Sequence, residues 1–99
     1  MVMVAISIAP VGEGVSVSSH VASALRVLDQ HPELNYELGP MFTTIEGEYD
    51  SVMGAIREMQ EVLFSAGVER VATVIKIDER RDKPLTMEGK MAAVRSKLS

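Results

Sequence analysis

The sequence predicts an α+β fold in which a four-stranded antiparallel sheet carries two helices on one face, with an extra C-terminal helix. Three observations predict it. Short β-branched apolar runs alternate with apolar stripes spaced by three and four residues, in the order βαββαβ and then a last helix. The strand, helix, strand pattern of residues 2–38 recurs over residues 41–78, so the chain reads as two split βαβ halves. With 99 residues, 46% hydrophobic and 24% charged, it suits one packed domain spanning 1–99, since two halves would each be too small to bury a core.

The first strand is expected at residues 2–8, a β-branched run ended by Pro10 and two glycines. Its apolar stretch lacks a basic leader and is too short to cross a bilayer before Pro10, which argues against a signal peptide or membrane anchor. A glycine-shaped loop follows, and Ser16 or Ser18 is the expected N-cap of a helix whose stripe is Val21, Ala24, Leu25 and Leu28. Pro32 ends that helix. Residues 34–38 alternate apolar Leu34, Tyr36 and Leu38 with polar Asn35 and Glu37, as a half-exposed strand does. Gly39-Pro40 marks a tight connection to a third strand at 41–47. The second helix runs from Tyr49 or Asp50 to Ala66, burying Val52, Ile56, Met59 and Leu63, and Gly67 is its C′ residue. The fourth strand is expected at 69–78. Thr86 caps the last helix, whose stripe is Met87, Met91, Val94 and Leu98. Right-handed crossovers then give a ferredoxin-like sandwich, with strands one and three central and strand four beside strand one.

Two helices cover one sheet face only. Val4, Ile6, Ile8, Ile45, Ile75 and Ile77 are assigned to that face, leaving Met3, Ala5, Ser7, Phe42, Thr44, Glu46, Val74, Lys76 and Asp78 on the other. The open face is partly apolar, and the last helix has a stripe of its own. Both features predict a homo-oligomer joined through sheets and terminal helices.

Fourteen Asp and Glu against ten Lys and Arg give a net charge of −4, which argues against nucleic acid as partner. No Cys excludes disulfides and thiolate chemistry, and four aromatics without Trp argue against a stacking platform. The expected setting is the cytoplasm. No catalytic motif is present, and His20 and His31 lack a second ligand at metal spacing, so neither metal nor cofactor is expected. His31, before Pro32, suits the C-terminal dipole of its helix, and the run 78–83 reads as a solvated, paired charge cluster. The loop after the first strand lacks a phosphate-binding fingerprint, although Ser16 and Ser18 beside it could hydrogen-bond a ligand. A polar set on the open face has two readings. Glu46 and Thr44, with Lys76 across the first strand and Ser7 between, form either an interface network or a recognition set for an amino-substituted heterocycle enclosed by Met and Phe side chains.

The segments Ile8-Ala9-Pro10-Val11-Gly12 with Gly14 and Ser16, Tyr36-Glu37-Leu38 with Met41, Thr43-Thr44-Ile45-Glu46, and 67–81 together resemble the small thiamine-binding protein family, single-domain relatives of the YkoF-like thiamine and hydroxymethylpyrimidine binders. The resemblance spans nearly the whole chain. It implies a ferredoxin-like dimer or tetramer that binds thiamine or a related pyrimidine at or near a subunit interface, as carrier, buffer or sensor and not as an enzyme. Ser7, Ser16, Ser18, Met41, Phe42, Thr43, Thr44, Glu46 and Lys76 are the candidate ligand-binding residues; Phe42 stands where the family usually has Gly. Competing readings are an oligomeric regulatory module without a small ligand and an acylphosphatase-like hydrolase. The latter wants an Arg in the loop after the first strand, whereas the first Arg here is Arg26, in the helix.

Overall fold

The computed structural model describes residues 1–98. Strand β1 (Val2–Pro10) leads into α1 (Ser18–Leu25), which tightens into a 3-10 turn (Arg26–Gln30) before β2 (Asn35–Glu37). Strand β3 (Thr43–Gly47), helix α2 (Tyr49–Ser65), strand β4 (Val71–Asp78) and helix α3 (Met87–Leu98) follow. The four strands form one antiparallel sheet in the order β2-β3-β1-β4, the expected ferredoxin-like arrangement. Among the described residues no helix is long and apolar enough to cross a membrane.

The core lies between the sheet and α1 and α2. Val4, Ile6 and Ile8 on β1 and Ile45 on β3 face Leu28, Val52, Ile56, Met59 and Leu63, all buried. Strand parity puts these β-branched side chains on one sheet face, and helical spacing aligns the opposing stripes. Ile75 packs at the edge of this cluster, while Ile77, assigned to the same face, is 40% exposed because β4 is the sheet's outer strand.

Several local expectations change. No side chain caps α1: Val17 occupies the N-cap position and Ser18 is already helical, so neither Ser16 nor Ser18 performs that role. Thr86 does cap α3, accepting a hydrogen bond from the Gly89 N–H at 3.0 Å. Strand β4 begins at Val71, and β2 is limited to three residues flanked by buried Leu34 and exposed Leu38. His31 is structural, but its partners are carboxylates. Its Nε2 meets Glu58 Oε2 on α2 at 2.7 Å and its Nδ1 meets Glu33 Oε1 at 3.1 Å, pinning the end of the 3-10 turn to α2. These hydrogen bonds to Glu58, then to Glu33, raise the imidazole pKa.

The charge cluster after β4 is paired, as expected. Arg80 donates to both carboxylate oxygens of Asp82, which holds the Asp82 carboxyl down to about 2. Asp78 instead reaches Lys90 on α3 at 2.8 Å, and that hydrogen bond lowers its pKa.

Candidate ligand-binding site

The sheet register separates the open-face set into rows. Thr44 pairs with Ala5 and Ala5 with Lys76, while Glu46 pairs with Met3 and Met3 with Asp78. Lys76 therefore lies across β1 from Thr44, with Ala5 between, and the expected Glu46–Ser7–Lys76 row is corrected by one step of the pleat. Ser7 pairs with Val74, farther along β1.

Glu46 is only 8% exposed, and both of its carboxylate oxygens are engaged. Asn35 Nδ2 donates to Oε1 at 3.0 Å, and the backbone N–H of Met87 donates to Oε2 at 2.8 Å. A carboxylate at the first turn of α3 satisfies an otherwise unpaired donor and interacts favourably with the helix dipole. Glu46 thus ties α3 to the open sheet face. Beside this tie lies a cavity of about 250 Å³, walled by Met3, Thr44 and Lys76 on the sheet and by Met87, Lys90 and Met91 on α3.

A second cavity, of about 210 Å³, opens at the far end of β1. It exists because β3 is shorter than expected. Pairing of β1 with β3 stops at Ile6 and Thr43, whereas pairing of β1 with β4 continues to Pro10 and Val71. Residues 38–42 turn away from β1 instead of extending the strand. Gly39 permits the turn, since a Cβ there would lie 2.3 Å from the Phe42 carbonyl oxygen. The gap is bounded by residues 6–9 of β1, by Val17 and Val21 at the start of α1, by residues 38–41, and by Thr43 and Met59 at its base.

Thr43 is the distinctive polar group of this cavity. It is 5% exposed, its side chain lies on the helix-covered face with that of Ile6, and its hydroxyl makes no hydrogen bond to another described residue. A shallower shelf along Ser18, Ala22 and Pro40 continues the cavity outward.

The structure thus divides the candidate residues. Ser7, Met41 and Thr43 line the cavity at the β1 edge, and Ser18 lies on its shelf. Thr44 and Lys76 line the cavity under α3, with Glu46 behind it. Met41 and Phe42, expected within the third strand, lie outside β3; Met41 is 80% exposed, and Phe42 and Ser16 line neither cavity. The sequence reading missed Ile8, Val21, Gly39 and Met59 as site residues. Gly39-Pro40 was the available signal, because a tight turn at that point shortens β3.

A family model described as thiamine-binding protein matches residues 4–95. UPF0045 protein YqgV of Bacillus subtilis is 39% identical over 99% of this chain and 98% of its own length. The crystal structure of protein MJ1052 from Methanocaldococcus jannaschii superposes with a TM-score of 0.86 at 39% identity, covering 95% of each chain. A Thermotoga maritima structure, whose name proposes a part in thiamine biosynthesis or salvage, gives a TM-score of 0.80 at 26% identity over 95% of this chain and 98% of that one. The chain belongs to the thiamine-binding protein family.

Proposed function

We propose that this protein binds thiamine or its hydroxymethylpyrimidine portion, without converting it, in the cavity at the β1 edge. The observation that carries this reading is the Thr43 hydroxyl, which lines a largely apolar enclosure and has no hydrogen-bond partner among the described residues. A small heterocycle needs such a site, apolar walls for its ring and a few fixed polar groups for its orientation. At about 210 Å³ the cavity is below the usual range for a whole ligand of drug size, so it suits the pyrimidine end, with the thiazolium on the shelf beside Ser18. The net charge of −4 favours approach of that cation. A carrier, buffer or sensor needs no more chemistry than this.

The ligand lies near a subunit interface in this reading. Leu38 and Met41 at the mouth are 65% and 80% exposed, and on the other side of the molecule Val74, Met91 and Val94 are about half exposed. Apolar surface of this kind favours self-association as a dimer or tetramer. Calorimetric titration with thiamine and with hydroxymethylpyrimidine tests the binding, and sedimentation tests the assembly. Saturable binding of either ligand that weakens in Thr43→Val supports the proposal. Absence of heat for both ligands overturns it, and a strict 10.8 kDa monomer removes the interface.

A further inference from the structure

The unpaired edge of β1 can be assigned residue by residue. Val11 donates its N–H to the Arg70 carbonyl at 2.8 Å, and the register of β1 on β4 runs without interruption from Met3 opposite Asp78 to Pro10 opposite Val71. In an antiparallel pair the N–H and C=O of one residue point to the same side, and successive residues alternate sides. Odd-numbered residues of β1 therefore bond to β4, while Val2, Val4, Ile6, Ile8 and Pro10 face β3. Pro10 fits this assignment, because a residue without an N–H is tolerated where no ladder bond is lost.

The β3 side is filled only as far as Ile6, which pairs with Thr43. Ile8 would have met Met41, but residues 38–42 have turned away. Among the described residues its N–H and C=O have no backbone partner in any turn or loop, and Ile8 is one of the walls of the β1-edge cavity.

We infer that the backbone N–H and C=O of Ile8 form a donor and acceptor pair that reads the edge of an aminopyrimidine, the ring nitrogen accepting from the N–H and the exocyclic amine donating to the C=O. The inference rests on the reading above and specifies how its site chooses a ring. The ligand takes the place of the missing β3 residue, and Thr43 lies at the next β3 position. The pattern also discriminates. A 4-oxo pyrimidine carries its donor and acceptor in the reverse order, so it satisfies both backbone groups only after a flip that sends its C5 substituent away from the mouth. A mismatched buried polar pair is strongly disfavoured.

The test is an NMR titration of backbone-assigned, 15N-labelled full-length protein with thiamine and with its 4-oxo analogue, alongside calorimetry. The expected result is a shift and slowed exchange of the Ile8 amide with thiamine, and affinity for the 4-oxo analogue lower by about tenfold or more. If thiamine binds while the Ile8 amide stays unmoved, or if both ligands bind equally, the edge assignment is wrong and the thiamine-binding reading stands. If thiamine produces neither heat nor shifts, both fall.

Discussion

Glu46 on the central strand β3 accepts a hydrogen bond from the backbone N–H of Met87 at 2.8 Å, across 41 residues of sequence. This contact and the Lys90–Asp78 ion pair fix the start of α3, whose Met91, Val94 and Leu98 remain largely exposed. Helix α3 buries none of its residues, so polar anchoring positions it more than packing does.

Glu46→Ala should therefore loosen α3. Loss of a charged acceptor with two partners is expected to cost about 1–3 kcal/mol, read as a lower urea midpoint. Amide exchange in residues 87–91 should accelerate. Because the β1-edge cavity is separate from this anchor, thiamine affinity should change by no more than about twofold. A larger loss would move the ligand to the cavity beneath α3.

Gly39→Ala should disturb the opposite end of the sheet. A Cβ at 2.3 Å from the Phe42 carbonyl oxygen forces the turn to open, with an expected loss of about 1–3 kcal/mol. Thermal unfolding and ligand titration should both register the change, since the same turn walls the cavity.

Phe42→Gly should leave thiamine binding within about twofold of the parent, because the ring lies outside both cavities. A marked gain in affinity would mean that the ring obstructs the ligand.

The His31 cluster predicts a pH dependence with a definite sign. Its imidazole has a raised pKa in the fold, so its contribution is complete below the unfolded value of 6.5 and disappears as pH rises through the folded value. Glu33 is lowered, by its own backbone N–H first and by His31 next, so its contribution is present above 4.5 and is lost as pH falls through its folded value. The Tm difference between the parent and His31→Ala should be largest between pH 4.5 and 6.5 and shrink as pH rises through the folded value of His31. A difference independent of pH would assign His31 a packing role.

The sequence by itself determined the strand and helix order, the sheet topology and the helix-covered face, because each follows from local periodicity and from the few crossovers a βαβ repeat allows. Thr86 as the cap of α3 and the α2 stripe of Val52, Ile56, Met59 and Leu63 were legible for the same reason. Only the tertiary structure decided where the third strand begins. Alternation and propensity carry residues 41–47 equally well, and the close approach of Gly39 to Phe42 is what cuts β3 back to Thr43. That loss of two residues opens the β1 edge beside Thr43. The role of Glu46 was equally out of reach. Its composition and position suited a ligand, but its partner is a backbone N–H at the start of a helix, a contact between residues distant in sequence that no local pattern encodes.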